Sequence, residues 1–137
     1  MTTKYFDYRA GLGNVGSYQA SAKPFLSSSI HVSSSGDVVR INFPNVTRFV
    51  TIKNTGPDDG SADINMRVGF SQNGINNENY LTVNNQESYS ADWRVTSVFL
   101  KVDVSGTFNA TASIIGGMTA IDSVELTHNW SGSRGVG

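Results

Sequence analysis

The strongest constraint on the fold is a strict alternation of apolar and polar residues in the stretch SADINMRVGF, residues 61–70. Its apolar positions are Ala62, Ile64, Met66, Val68 and Phe70. Successive side chains of a β-strand point to opposite faces of the sheet, whereas a helix repeats every three to four residues. The stretch therefore predicts a strand with one face on a core and one face in water.

Similar short segments recur along the chain, separated by clusters of Gly, Asn, Asp and Ser that favour turns. They are DVVRINF (37–43), VTRFVTI (46–52), YLTV (80–83), VTSVFLKVDV (95–104) and TFNATASII (107–115), all rich in β-branched or aromatic residues. A first strand near SYQASAKPF (17–25) and a weak one near ESYSADW (87–93) bring the total to about eight. This pattern predicts an all-β, antiparallel two-sheet sandwich, a single jelly roll.

Two segments fit more than one structure. Residues 95–102 also match a helical spacing, but we predict a strand, with Leu100 and Val102 in the core, because Val and Thr lose side-chain freedom in helices. The segment MTAIDSVELTHNW (118–130) fits either a short helix or a final strand. We expect one β-sandwich domain over residues 11–118, an N-terminal arm at 1–10 and a C-terminal extension at 119–137.

Charge and composition exclude several classes of function. The chain has ten Lys and Arg and eleven Asp and Glu, and charges of one sign do not form runs. We therefore expect no nucleic-acid partner and no membrane-surface helix. The chain has no cysteine, which removes thiol catalysis and thiolate metal sites. We recognise neither a signal peptide nor a membrane span, so we expect a protein made and used without Sec export.

The polar residues that are able to carry chemistry are isolated in the sequence. His31 and His128 are far apart, and the carboxylates form no paired motif, so we expect neither an enzyme nor a bound cofactor or metal. The segment PDDGSAD (57–63) fits a tight turn, because Pro, Asp and Gly each favour one. Its three carboxylates leave calcium binding as the alternative: they are Asp58, Asp59 and Asp63.

Aromatic residues are the candidates for binding partners. Those in the terminal segments are Tyr5, Phe6, Tyr8, Tyr18 and Trp130. A short arm cannot bury several aromatic rings alone, so we expect them to anchor in neighbouring chains; the alternative is that they cover the ends of the sandwich. A carbohydrate-binding module would instead need an exposed platform, for which the candidates are Tyr80, Tyr89 and Trp93.

Five segments resemble, in order and type, those of the small jelly-roll structural proteins in virions of tailed bacteriophages, particularly marine and cyanobacterial ones. They are GLGNVGSYQ (11–19), INFPNVTRFVTIKN (41–54), ADINMRVGF (62–70), YLTV (80–83) and VTSVFLKV (95–102), with NVGSYQ and FPNVTRFVTI the most specific. The resemblance covers residues 11–118. It implies a non-enzymatic capsid decoration or cement protein, often a homotrimer, that contacts the major capsid protein or other virion proteins and assembles in the host cytoplasm.

The two ends of the chain depart from that pattern. The arm at residues 1–10 and the tail after Met118 look longer than, or different from, those of the family. A place at the neck or tail of the particle therefore stays open beside the capsid.

Overall fold

The structure is a computed structural model, which describes residues 12, 23–57, 63–103 and 109–126. Within them lie the strands β1 (Lys23–Val32), β2 (Val39–Asn42), β3 (Asn45–Pro57), β4 (Met66–Gly69), β5 (Leu81–Val83), β6 (Ser88–Ala91), β7 (Ser97–Val102) and β8 (Ala110–Asp122). A short helix, α1 (Gln72–Asn76), joins β4 to β5, and a 3-10 helix (Ser123–Glu125) follows β8. No helix in these ranges is long and apolar enough to cross a bilayer.

The strands form two four-stranded sheets with antiparallel pairing throughout. Sheet A has the order β1-β8-β3-β6, and sheet B has the order β2-β7-β4-β5. Each strand of the first half pairs with its counterpart from the second half: β1 with β8, β2 with β7, β3 with β6 and β4 with β5. This nested pairing is the connectivity of a jelly roll, and it confirms the predicted two-sheet sandwich.

Each predicted segment contains an observed strand, but the ends differ. Of the stretch 61–70 only Met66–Gly69 forms a strand, residues 63–65 are irregular, and residues 61–62 lie outside the described residues. β1 begins at Lys23, so only the end of the segment predicted near residues 17–25 is a strand, and residues 17–22 lie outside the described residues. The ambiguous segment at 95–102 contains β7 and no helical turn. After residue 118, β8 continues to Asp122 and the 3-10 helix follows, so both alternatives for this segment occur in succession.

The core lies between the two sheets. Met66, Val68, Leu100 and Val102 are buried as predicted, and Ile64 is half-buried against them. Sheet A contributes mainly the inward residues of β3 and β8, among which are Val50, Ile52, Ala110, Ala112 and Ile114. Burial of these alternating positions explains why period two dominates the sequence.

A buried amide also connects the sheets. Asn54 of β3 is fully buried. Its Nδ2 donates to the carbonyl oxygens of Ile64, at 2.6 Å, and of Val83, at 3.1 Å, while its Oδ1 accepts from the backbone N–H of Gly56 at 2.9 Å. Because Val83 lies in β5, this side chain joins sheet A to sheet B through hydrogen bonds inside an apolar core.

Helix α1 was not predicted; its residues were interpreted as a turn between strands. Its first turn is capped by Ser71, whose Oγ accepts from the N–H of Gly74 at 2.9 Å. The helix packs on the outward side of sheet B, where Ile75 is fully buried. A Cβ added to Gly69 of β4 would lie 3.1 Å from the Cβ of Ile75, so this glycine sets the close approach of helix and sheet.

Candidate functional site

Sheet A exposes an apolar pair on its outward face. Leu26 of β1 lies directly opposite Ile115 of β8, and the two side chains are 71% and 47% exposed. The same row continues through Thr51 of β3 to Ser90 of β6, whose hydroxyl oxygens lie 2.7 Å apart. The row thus crosses all four strands and carries two large apolar side chains beside two small hydroxyls.

The sequence produces this pair through two apolar doublets. In Phe25–Leu26, Phe25 turns inward, where its ring contacts Phe43 edge-to-face at 4.8 Å between centroids. In Ile114–Ile115, Ile114 is buried in the core. Because neighbouring strand residues point to opposite faces, the second member of each doublet must face outward. Leu26 and Ile115 were not among the predicted site residues, although the doublets were a visible signal in the sequence.

A second surface lies at the edge of sheet A formed by β6. Tyr89 stacks on Trp93 with 5.7 Å between ring centroids and 24° between planes. Trp93 in turn contacts Phe70 edge-to-face, with 4.8 Å between centroids. Phe70 and Trp93 are half-buried against the core, whereas Tyr89 is 44% exposed. We call these three residues the aromatic edge.

The loop that carries Trp93 is fixed by a buried hydroxyl. Thr47 Oγ1 donates to the carbonyl oxygen of Trp93 at 2.6 Å and accepts from the N–H of Val95 at 3.1 Å. The backbone N–H of Thr47 also donates to the carbonyl oxygen of Val95, at 3.0 Å. Thr47 is buried, and these bonds hold Trp93 in place behind Tyr89.

A polar cleft flanks the same loop. It has a volume of about 550 Å³ and is lined by Thr47, Arg48, Asp92 and Arg94. Asp92 and Arg94 are exposed, whereas Trp93 and Val95 are half-buried and buried, so the loop presents charges on one side and the aromatic edge on the other.

Tyr80 belongs to a different surface from Tyr89 and Trp93. Its ring lies over the guanidinium of Arg67, 4.1 Å from ring centroid to Cζ. Arg67 alternates with the buried Met66 and Val68 and therefore faces outward from sheet B, where its Nε donates to Asp103 at 2.8 Å. The structure thus brings together two of the three aromatic residues proposed as a platform and places the third on the other sheet.

The remaining predicted residues are placed as follows. Tyr5, Phe6, Tyr8, Tyr18, Trp130, His128, Asp58 and Asp59 lie outside the described residues. His31 is exposed on β1. Asp63 is exposed and accepts a hydrogen bond from Nδ2 of Asn85 at 3.0 Å. Across residues 23–57, 63–103 and 109–126, no three His, Asp or Glu side chains come together as metal ligands would.

Comparison with known proteins found no match to the chain among family models, curated proteins or solved structures.

Proposed function

We propose that this chain is a non-enzymatic virion structural protein that decorates or cements the head of a tailed bacteriophage. It binds the major capsid protein or another virion protein, associates with its own copies as a homotrimer, and is assembled in the host cytoplasm. A structural place at the neck or tail is the alternative. The resemblance of residues 11–118 to such proteins supports this proposal, and so does a two-sheet sandwich that exposes Leu26 and Ile115 on sheet A.

The observation that carries the proposal is the Leu26–Ile115 pair on the outward face of sheet A. Burial of exposed apolar surface favours association by about 25 cal/mol per Å². The neighbouring Thr51 and Ser90 already bond to each other, so a partner can cover the row without removing water from a charge. A pair of this kind is suited to contact with another protein surface.

Self-association can be measured by size-exclusion chromatography with light scattering. We expect the purified chain to form a trimer, and the double change Leu26→Ser with Ile115→Ser to shift it toward monomer. Val124 is the matched control, because it is 68% exposed but lies in the 3-10 helix. Val124→Ser should leave the trimer intact. A wild-type chain that stays monomeric at high concentration, or a double variant that associates like wild type, would contradict this assembly surface.

The N-terminal arm provides an independent test. Deletion of residues 1–10 removes Tyr5, Phe6 and Tyr8 and should leave a folded sandwich that assembles poorly or detaches from its particle. Circular dichroism reports the fold, and electron microscopy of intact particles at side-chain resolution reports occupancy and position. Full occupancy by the shortened chain would mean that the arm is no anchor.

A further inference from the structure

We propose that the aromatic edge of sheet A is a carbohydrate-binding site, with Tyr89 as the surface on which a pyranose ring stacks. This inference is independent of the proposed virion role. It rests on the stacked pair Tyr89–Trp93 and on a neighbouring carboxylate, Glu87, at the same edge of the sandwich.

Tyr89 contributes little to sealing the core. Phe70 and Trp93 already pack against the core residues, and Tyr89 forms a further layer outside Trp93. One face of its ring rests on Trp93, and the residue as a whole is 44% exposed. Tyr89 lies in β6, and its ring is supported from behind by Trp93, whose loop is fixed by Thr47. Such a ring is preorganised and loses little freedom when a ligand covers it.

Glu87 supplies the polar contact that such a site requires. The N–H of Asn54 donates to its carbonyl oxygen at 2.9 Å, which extends the pairing of β3 with β6 by one residue beyond Ser88. Glu87 therefore lies opposite the buried Asn54, as Tyr89 lies opposite the buried Ile52, and both positions are on the inward side of the edge strand. Residues two apart on a strand are separated by roughly 6.5–7 Å.

This combination fits a neutral sugar better than an organic cation. A pyranose with equatorial hydroxyls presents C–H groups on its faces, which stack on an aromatic ring, and hydroxyls around its rim, which donate to a carboxylate. Sites for quaternary ammonium groups surround the cation with several open rings. Here the facing surface of Trp93 is already occupied by Tyr89, so the exposed ring of this stack is that of Tyr89 alone.

The test is titration of the full chain with two β-linked oligosaccharides, cellohexaose and chitohexaose, and with the α-linked maltohexaose. Binding is measured by isothermal titration calorimetry. A Trp130→Phe background leaves Trp93 as the only indole, so its fluorescence reports binding at the stack. We expect saturable binding of at least one of the two β-linked oligosaccharides. Tyr89→Ala should weaken it at least about tenfold, as truncation of a stacked aromatic anchor does, whereas Tyr89→Phe should keep most of it.

Tyr80→Ala is the matched control, because Tyr80 is 37% exposed but packs on Arg67 of sheet B. It should bind like wild type, and Glu87→Gln should bind more weakly than wild type. Circular dichroism and thermal unfolding verify that each variant is folded. The proposal is overturned if none of the three oligosaccharides binds at millimolar concentration, or if Tyr89→Ala and Tyr80→Ala change the affinity equally.

Discussion

Replacement of Asn54 tests whether the two sheets are held together by a specific buried amide as well as by apolar packing. Asn54→Ala removes hydrogen bonds to two carbonyl oxygens and one N–H, belonging to Ile64, Val83 and Gly56. A buried polar group that loses its partner costs about 1–3 kcal/mol. We expect the free energy of unfolding to fall by about 3–5 kcal/mol, because water can reach the half-buried Ile64 end and recover part of the loss.

The measurement is urea unfolding monitored by circular dichroism and fluorescence. The free energies of unfolding are compared between proteins whose m-values agree, because an unchanged m-value means that the substitution altered stability alone. Asn42→Ala is the control, since Asn42 is a strand asparagine on the exposed face of β2. It should change stability by at most about 0.5 kcal/mol. If the free energy of unfolding of Asn54→Ala lies within about 1 kcal/mol of the wild-type value, the buried amide is not needed for stability and the prediction is wrong.

A second variant separates hydrogen bonding from side-chain volume. Asn54→Asp keeps the size of the side chain but cannot donate to the carbonyl oxygens of Ile64 and Val83, and it places a charge in the core. At neutral pH it should destabilise at least as much as Asn54→Ala. Folding favours the protonated form of this carboxyl, so the deficit should shrink as the pH falls. A deficit that is independent of pH would mean that the side chain has moved into water.

Three further predictions concern packing and the helix. Met66→Ala should lower the free energy of unfolding by about 2–5 kcal/mol in urea titration, since Met66 is fully buried between the sheets, and an unchanged midpoint would refute its place in the core. Ser71→Ala should cost about 0.5–2 kcal/mol and raise hydrogen exchange in α1, because the Gly74 N–H loses its cap. Gly69→Ala should destabilise by about 1–3 kcal/mol and loosen α1, because the new Cβ meets Ile75 at 3.1 Å, and protection of α1 equal to wild type would contradict that contact.

The strands could be predicted because every second side chain of a strand faces the core, so apolar and polar residues alternate along the sequence. Met66, Val68 and Leu100 were assigned to the correct face for this reason. Helix α1 could not be predicted from the sequence, because QNGIN contains Gly and Asn, which are poor helix formers. It forms because Ser71 caps it and because Ile75 buries its side chain against sheet B, a contact that depends on tertiary structure.

The candidate surfaces were predictable only in part. The exposed position of Tyr89 depends on β6 being the edge of sheet A, which follows from the order of strands in space and not from residues 87–93 themselves. The same order separates Tyr80 from Tyr89, although both follow the same kind of short polar segment. The burial of Asn54 could not be predicted either. An asparagine in a strand is expected to face water, and only the carbonyl groups that accept its hydrogen bonds in the fold explain its burial.

The two outward faces of the sandwich differ in a way that bears on where a partner can bind. On sheet B, the chain covers its own strands: Ile75 packs over Gly69, Arg40 lies 5.4 Å from the ring of Phe99, and Tyr80 covers Arg67. On sheet A, Leu26 of the edge strand β1 and Ile115 of β8 stay exposed on the outward face. Because α1 and the aromatic rings already cover the outward face of sheet B, a partner buries more exposed apolar surface on sheet A. Variants that disrupt assembly should therefore cluster on the outward face of sheet A, and variants of the aromatic edge should leave assembly intact.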